Sequence, residues 1–440
     1  MSKHEPASGL ISRKKLLGAA AVGAGSVLAG NTVADAAGVL LTRNGGNRSE
    51  IHGDIVIGSS LPLTGILASD GQDMLRGFTL AIEEINAKGG ILGAKVQHKY
   101  YDVGNMAPDA MVSNFRRLIY EDNVHAVLCG YHTGTGPEYP LVAQAGVPYF
   151  HVNTYSPNAT TVREHRGTYW MVFQSDPTEV WYGLGLPTFL QGLIDKGLWK
   201  PKNKKVALIT SNNLYSVSIA NLFQQKATKT GWEISLYEKV VTPLSEWGPT
   251  LSKIRANPPA VIINTDFTPS DLATFTKQFH SNPTPSLLYE QYGPSIPEYL
   301  KLAGSAANGV IWSTVTGTYP DSIGNGFRAR YNKRFGTLPG FSNAGSCYDE
   351  VHVYLNAVAK AGDPNDKRKV CDIVAKSNVR GVNGYYKYDP SDLTVRPYPD
   401  YTKDPKQGQA HLYFQIQNLR QNVIAPDPYT DSHFQLPAWI

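Results

Sequence analysis

Cysteine is scarce: three residues in 440, at Cys129, Cys347 and Cys371. None has a C-x-x-C partner, which excludes a dithiol redox centre and a structural zinc site. Cys129 ends the apolar run "AVLC" and reads as a buried thiol. Cys347 and Cys371 both fall on helical patterns, and in an oxidising compartment the two are able to pair. Beyond residue 36 no apolar run reaches the roughly 18 residues of a membrane-spanning helix, so a soluble mature protein is expected. Charge of one sign is not concentrated either. The formal net charge is +5, but residues 1–36 hold four Lys and Arg against two carboxylates, which leaves +3 for the rest. No block of Lys and Arg tracks a phosphate backbone, so nucleic acid is not an expected partner. The chain also lacks a G-x-S-x-G elbow, an H-E-x-x-H pair and a Walker loop. Its 11 His are scattered without metal-ligand spacing. No enzyme activity, metal or cofactor is expected.

What is present is globular. Hydrophobic residues make up 42% and charged residues 18%, values that bury a core rather than leave a chain disordered. The length exceeds one ordinary domain and suffices for two. At the N-terminus, "SRKKLL" (Ser12 to Leu17) is basic, and "GAAAVGAGSVLAG" (Gly18 to Gly30) is small and apolar. Ala34-Asp35-Ala36 then offers an A-x-A cleavage site. Residues 1–36 therefore read as an export signal. With Arg13-Lys14 it is similar to a twin-arginine signal whose second Arg is Lys, and both the Tat and Sec routes stay open. No Cys adjoins the cleavage site to carry a lipid anchor.

From Asp54 onward, short apolar runs alternate with helical patterns. "IVIGSSL" precedes a helix over about 71–88 that places Met74, Phe78, Ala81, Ile82 and Ile85 on one face, with Asp70 or Ser69 as its cap. "KVQHKYYD", "VHAVLCG" and "VPYFHVN" follow as strands, separated by helices over about 108–121 and 137–144. The same alternation resumes at "KKVALITSNN" and continues through "EISLYEKVV", "AVIINTDF" and "SLLYEQYG". Strand–helix repetition of this kind builds parallel sheets with helices on both faces. The fold class is α/β, with two doubly wound, Rossmann-like lobes. Gly- and Pro-rich stretches near 173–177, 304–309 and 381–384 are the expected crossings. They assign residues 51–173 and 308–380 to lobe 1, and residues 174–307 and 381–440 to lobe 2.

In order along the chain, "IGSSLPLTGILASDGQDMLRGFTLAIEEINAKGGILG", "VHAVLCGYHTGTGPEYPLVAQAGVPYFHVNTYSP" and "FRARYNKRFGTLPGFSNAGSCYDEVHVYLNAVAKAG" resemble the type I solute-binding proteins of ABC importers, especially the branched-chain amino-acid (Leu/Ile/Val) group. The segment Glu83 to Gly93 is the most specific. The resemblance covers nearly all of the chain after residue 50. It implies two lobes joined by three crossovers, a ligand cleft between them that shuts by hinge closure, a monomeric and extracytoplasmic protein, and an ABC permease of the inner membrane as partner. The implied ligand is an amino acid. An amide- or urea-binding protein, or a sensor on the same fold, is the alternative.

Ligands of open α/β sheets sit beyond the carboxyl ends of the strands, near helix N-termini. There the first loop brings Thr64, Ala68 and Ser69. The second loop, "GYHTGTGPEYP", has the spacing G-x-x-x-G-x-G rather than that of a dinucleotide loop. By the resemblance, its Tyr131, His132, Thr133, Gly134 and Thr135 meet the ligand; His132 reads equally as a satisfied surface histidine. The third loop corresponds to the family's S-A-T-x-P segment and maps Asn153, Thr154 and Tyr155 onto binding positions. Tyr155 stands where the family has a small hydroxyl residue, which adds aromatic surface and points to a bulky or aromatic side chain on the ligand. In lobe 2, Tyr215 matches the tyrosine of D-x-x-Y-G, although the Asp is absent and Ser216 replaces the Gly. Asp266 with Phe267, and Glu290 with Tyr292, end the next strands. Asp266 or Glu290 is the expected partner of a ligand ammonium; the other reading makes each a helix cap or a solvated carboxylate. Tyr348-Asp349 matches a family helix motif that serves lobe packing more often than binding.

Overall fold

The computed structural model describes residues 51–132 and 136–440. The export signal read at residues 1–36 lies outside the described residues. The first sheet is parallel and holds β1 (Ile55–Leu61), β2 (Val96–Asp102), β3 (Ala126–Leu128), β4 (Tyr149–His151) and β5 (Val172–Gln174), in the order β2-β1-β3-β4-β5. Between these strands run α1 (Ala68–Ala87), α2 (Pro108–Arg116), α3 (Tyr139–Ala145) and α4 (Ser156–Glu164). Met74, Phe78, Ala81, Ile82 and Ile85 of α1 are all buried in the core. α1 starts three residues before the expected position, at Ala68, and neither Ser69 nor Asp70 caps it. Asp70 lies inside the first turn and is buried.

After α5 (Val180–Asp195) come β6 (Lys205–Ser211), α6 (Leu214–Lys229), β7 (Glu233–Val240), α7 (Gly248–Ala256), β8 (Val261–Asn264), α8 (Pro269–His280), β9 (Leu287–Glu290), α9 (Pro297–Ala303) and β10 (Ile311–Thr314). These strands form the parallel part of a second sheet, ordered β7-β6-β8-β9-β10. Their apolar runs have a simple cause. Along β6, Ala207 and Ile209 enter the core on one face, and Val206 and Leu208 the core on the other. A strand covered on both faces needs apolar residues at every position.

The chain then returns through α10 (Ser322–Phe335), α11 (Asn343–Ala361), α12 (Lys367–Lys376) and the hairpin β11 (Val379–Gly381) and β12 (Gly384–Tyr386), all packed against the first core. Gly77 of α1 lies so close to α11 that a Cβ there would stand 2.3 Å from the Ala344 carbonyl oxygen. β13 (Pro397–Tyr398) and β14 (Gln409–Ala410) form a small parallel pair. β15 (Leu412–Gln417) and β16 (Arg420–Ala425) extend the second sheet as antiparallel strands beside β10.

Two expected boundaries move. β10 pairs with β9 and β15, so residues 311–314 belong to the second sheet and not to lobe 1. Leu393 and Val395 lie in the first core, and the Gln174 N–H donates to the Leu393 carbonyl at 3.0 Å, so residues 384–396 stay with the first sheet. Turn-forming residues mark where a chain can cross, but strand pairing decides where it does. Cys347 and Cys371 are unpaired: all three cysteines are free, buried thiols. Among the described residues, no helix is long and apolar enough to cross a membrane.

Candidate ligand-binding site

Loops at the carboxyl ends of both parallel sheets converge on one cavity of about 200 Å³. From the first sheet it receives Met106 after β2, Tyr131 after β3, and Val152, Asn153, Thr154 and Tyr155 after β4. From the second it receives Asn213, Leu214 and Tyr215 after β6, Phe267 after β8, Tyr292 after β9 and Thr316 after β10. Tyr182 of α5 and Asn343 of α11 complete the wall. The rings form two groups. Tyr131 and Tyr292 stand edge to face at 6.3 Å. Tyr215 stands edge to face with Tyr182 at 6.0 Å and with Phe267 at 5.9 Å.

The structure therefore places Tyr131, Asn153, Thr154, Tyr155, Tyr215, Phe267 and Tyr292 on one wall, as the expected binding loops imply. It does not bring Thr64, Ala68 or Ser69 there. Thr64 is exposed, and its hydroxyl donates to Asp102 Oδ2 at 2.6 Å while its N–H donates to Oδ1 at 3.2 Å, so it ties the first loop to the second strand. His132 is fully buried behind the wall. Its N–H donates to Asn153 Oδ1 at 2.8 Å, and its Nε2 meets the Tyr149 hydroxyl at 2.7 Å. Tyr149 in turn donates to Glu138. Burial lowers the His132 imidazole to about 3, so it is neutral. Thr133, Gly134 and Thr135 lie outside the described residues.

Neither expected ammonium partner reaches the cavity. Asp266 is fully buried and turns back to accept the Phe267 N–H at 2.8 Å. Glu290 faces inward between β9 and α8 and accepts from Thr276 at 2.7 Å. Burial raises Asp266 to about 7 and Glu290 to about 8. Asp266 lies beyond the end of β8 and folds back on the next residue, and Glu290, the last residue of β9, is held by the Thr276 hydroxyl of α8. Asp349 accepts the Val382 and Asn383 N–H groups and holds the hairpin against α11.

The carboxylates that matter to this cavity stand one hydroxyl behind it. Tyr131 and Tyr292 both donate to Asp70 Oδ2, and the Asn343 amide donates to Tyr292. Burial lifts the Asp70 carboxyl from its ordinary 3.8 to about 7, while the two tyrosine hydrogen bonds hold it down. Thr154 donates likewise to buried Asp176. With their hydrogens engaged behind the wall, these three hydroxyls keep only lone pairs for a ligand. Asp70 had a signal in the sequence: it falls four residues before Met74, on the apolar stripe of α1, where an unpartnered carboxylate is costly. Tyr182 and Asn343 gave none, because they arrive from helices distant in the chain.

A sequence model of the periplasmic binding proteins matches residues 54–396. The chain belongs to this family. A solved structure, a putative branched-chain amino acid ABC transporter from Silicibacter pomeroyi, is 38% identical, covers 88% of this chain and all of its own, and superimposes with a TM-score of 0.82. An amino acid binding protein of Pseudomonas aeruginosa is 27% identical over 81% of this chain and 92% of its own. A Leu/Ile/Val-binding protein homolog of Brucella abortus is 27% identical over 51% of this chain, and the match spans 54% of that relative's length. The two sheets are the cores of two lobes, and loops of both line the cavity.

Proposed function

We propose that this protein is the exported substrate-binding component of an ABC importer, taking up an amino acid with a bulky or aromatic side chain. One observation carries the reading: a small cavity walled by loops of both lobes, rich in aromatic rings and bearing no charged side chain on its wall. Its volume is below the roughly 300 Å³ at which drug-sized pockets begin, which suits a small metabolite. Rings supply apolar area and favour a cation over their faces. The ligand ammonium would meet the lone pairs of Tyr131, Tyr292 and Thr154, with Asp70 and Asp176 behind them, so that a cation is answered without a carboxylate on the wall. Hinge closure would bury the ligand, and an inner-membrane permease would read the closed form of a monomer. Relatives named for amino acid binding and branched-chain amino acid transport support the class.

A second reading has its own support. Asn153, Asn213 and Asn343 share the wall with no charged group, which also suits an uncharged amide or urea.

Thermal unfolding against Leu, Ile, Val, Phe, Tyr, Trp, acetamide and urea separates the two. A ligand at about 100 times its dissociation constant adds roughly 2.7 kcal/mol. Amino acids should raise the melting temperature; a rise with the amides alone selects the second reading, and no rise refutes both. Tyr155→Ala binding as tightly as wild type would remove the aromatic side-chain assignment.

A further inference from the structure

A chain of hydrogen bonds runs from the Asp400–His411 pair to Tyr215 on the cavity wall. Asp400 Oδ2 lies 2.6 Å from His411 Nδ1, and His411 Nε2 lies 3.0 Å from Ser313 Oγ. Ser313 Oγ is 2.7 Å from the Tyr289 hydroxyl, which donates to Gln291 Oε1. Gln291 Nε2 donates to the Tyr215 hydroxyl at 2.9 Å. His411, Ser313 and Gln291 are fully buried and Tyr289 nearly so, which leaves water no place to supply a missing hydrogen.

Counting hydrogens fixes the direction of every link. Gln291 Oε1 only accepts, so Tyr289 must donate to it. Tyr289 has then spent its single hydrogen, so Ser313 donates to Tyr289. Ser313 has spent its own, so the imidazole donates to Ser313 through Nε2. Nδ1 faces a carboxylate and donates as well. Both ring nitrogens therefore carry hydrogens, and His411 is an imidazolium paired with Asp400. At the other end, Tyr215 receives a hydrogen from Gln291 and keeps its own. We infer that Asp400 and His411, acting through Ser313, Tyr289 and Gln291, are positioning residues that hold the Tyr215 hydroxyl as a donor towards a ligand oxygen.

The alternative is well defined. Rotating the Gln291 amide by half a turn reverses every link. His411 would then be neutral, accepting from Ser313, and Tyr215 would point its hydrogen back at Gln291. The polarity of the binding wall is thus tied to one proton four groups away, on His411. Other groups facing His411 do not supply that proton: the Tyr182 ring meets it edge-on at 5.5 Å from α5, and the Tyr413 hydroxyl lies 3.5 Å from Nδ1 on β15. α5 passes directly over the pair at Gly185, where a Cβ would come within 2.8 Å of both His411 and Asp400. The hydrogen kept by Tyr215 has one protein competitor, the Tyr182 hydroxyl beside it.

This inference does not depend on which ligand binds, because it is read in the ligand-free protein. Nitrogen-15 spectra of the His411 ring at pH 7 should show a bonded hydrogen on both Nδ1 and Nε2. A bare Nε2 overturns the proposal, since the chain must then run the other way. Asp400→Asn should leave a neutral ring with a hydrogen on one nitrogen only while the fold is retained; an unchanged doubly protonated ring in that variant also overturns it. If the variant does not fold, the wild-type spectrum decides alone.

Discussion

Replacing Asp70 by Asn should change how stability depends on pH, by an amount that follows from the burial of its carboxyl group. In the unfolded chain this group ionises near 3.8; in the folded protein it does so only near 7. Between those values the unfolded state is ionised and the folded state keeps its proton. The folded state thus binds more protons, and stability falls as pH rises. Stability from this group is fully present below 3.8 and is lost as pH rises through about 7. One group gives a slope of about 1.4 kcal/mol per pH unit, or about 4 kcal/mol over the whole interval. Asn cannot ionise. Its carbonyl can still accept from Tyr131 and Tyr292, but its amide would fall where Asp70 Oδ1 has no partner. That unsatisfied group costs about 1–3 kcal/mol at every pH. The absolute stability of the variant is therefore a poor test, and the pH dependence of the difference is a good one. Urea unfolding of both proteins from pH 5 to pH 8 should show the variant gaining about 3 kcal/mol on the wild type. A difference constant to about 0.5 kcal/mol would refute the burial argument for Asp70, and with it the placing of a titrating carboxyl behind the cavity wall.

Three further predictions concern the frame around the site. Gly77→Ala drives a methyl group onto the Ala344 carbonyl and should force α1 from α11, at about 1–3 kcal/mol in urea unfolding with the slope unchanged. Glu179 accepts from the N–H and hydroxyl of Ser156 and from the hydroxyl of Ser218, so it ties α4 of one lobe to α6 of the other. Glu179→Ala should cost about 2 kcal/mol or more, measured the same way, and Glu179→Gln less. Thiol titration without reductant should find no reactive cysteine in the native protein and three after unfolding; one thiol would mean that two had paired.

The elements of this fold are written locally. Apolar runs on β6, β8 and β9, and the stripe of Met74, Phe78, Ala81, Ile82 and Ile85, follow from periods of two and 3.6 residues that any reader of the chain can count. Loops after such strands meet helix N-termini; the family resemblance mapped Tyr131, Asn153, Thr154, Tyr155 and Tyr215 onto those loops, and Phe267 and Tyr292 were read from the ends of the next strands. The family resemblance sharpened that list but not the direction of each side chain.

Direction is where the tertiary structure decided. Whether Asp266 and Glu290 face the cavity depends on strand twist and on what packs against them, and both turned inward. His132, itself a candidate, points into the core, because Tyr149 holds its ring and Asn153 its N–H there. The path of the chain between lobes was set by β10 pairing with β15 across about a hundred residues, a choice that no local composition records. Asp70 joins Tyr131, Tyr292 and Asn343 only once three separate segments have packed. Sequence alone determined which residues form strands, helices and loops, because those preferences act over a few neighbours. Which charges stand behind the wall, and which hydroxyls keep a hydrogen for a ligand, was decided by contacts between residues far apart in the chain.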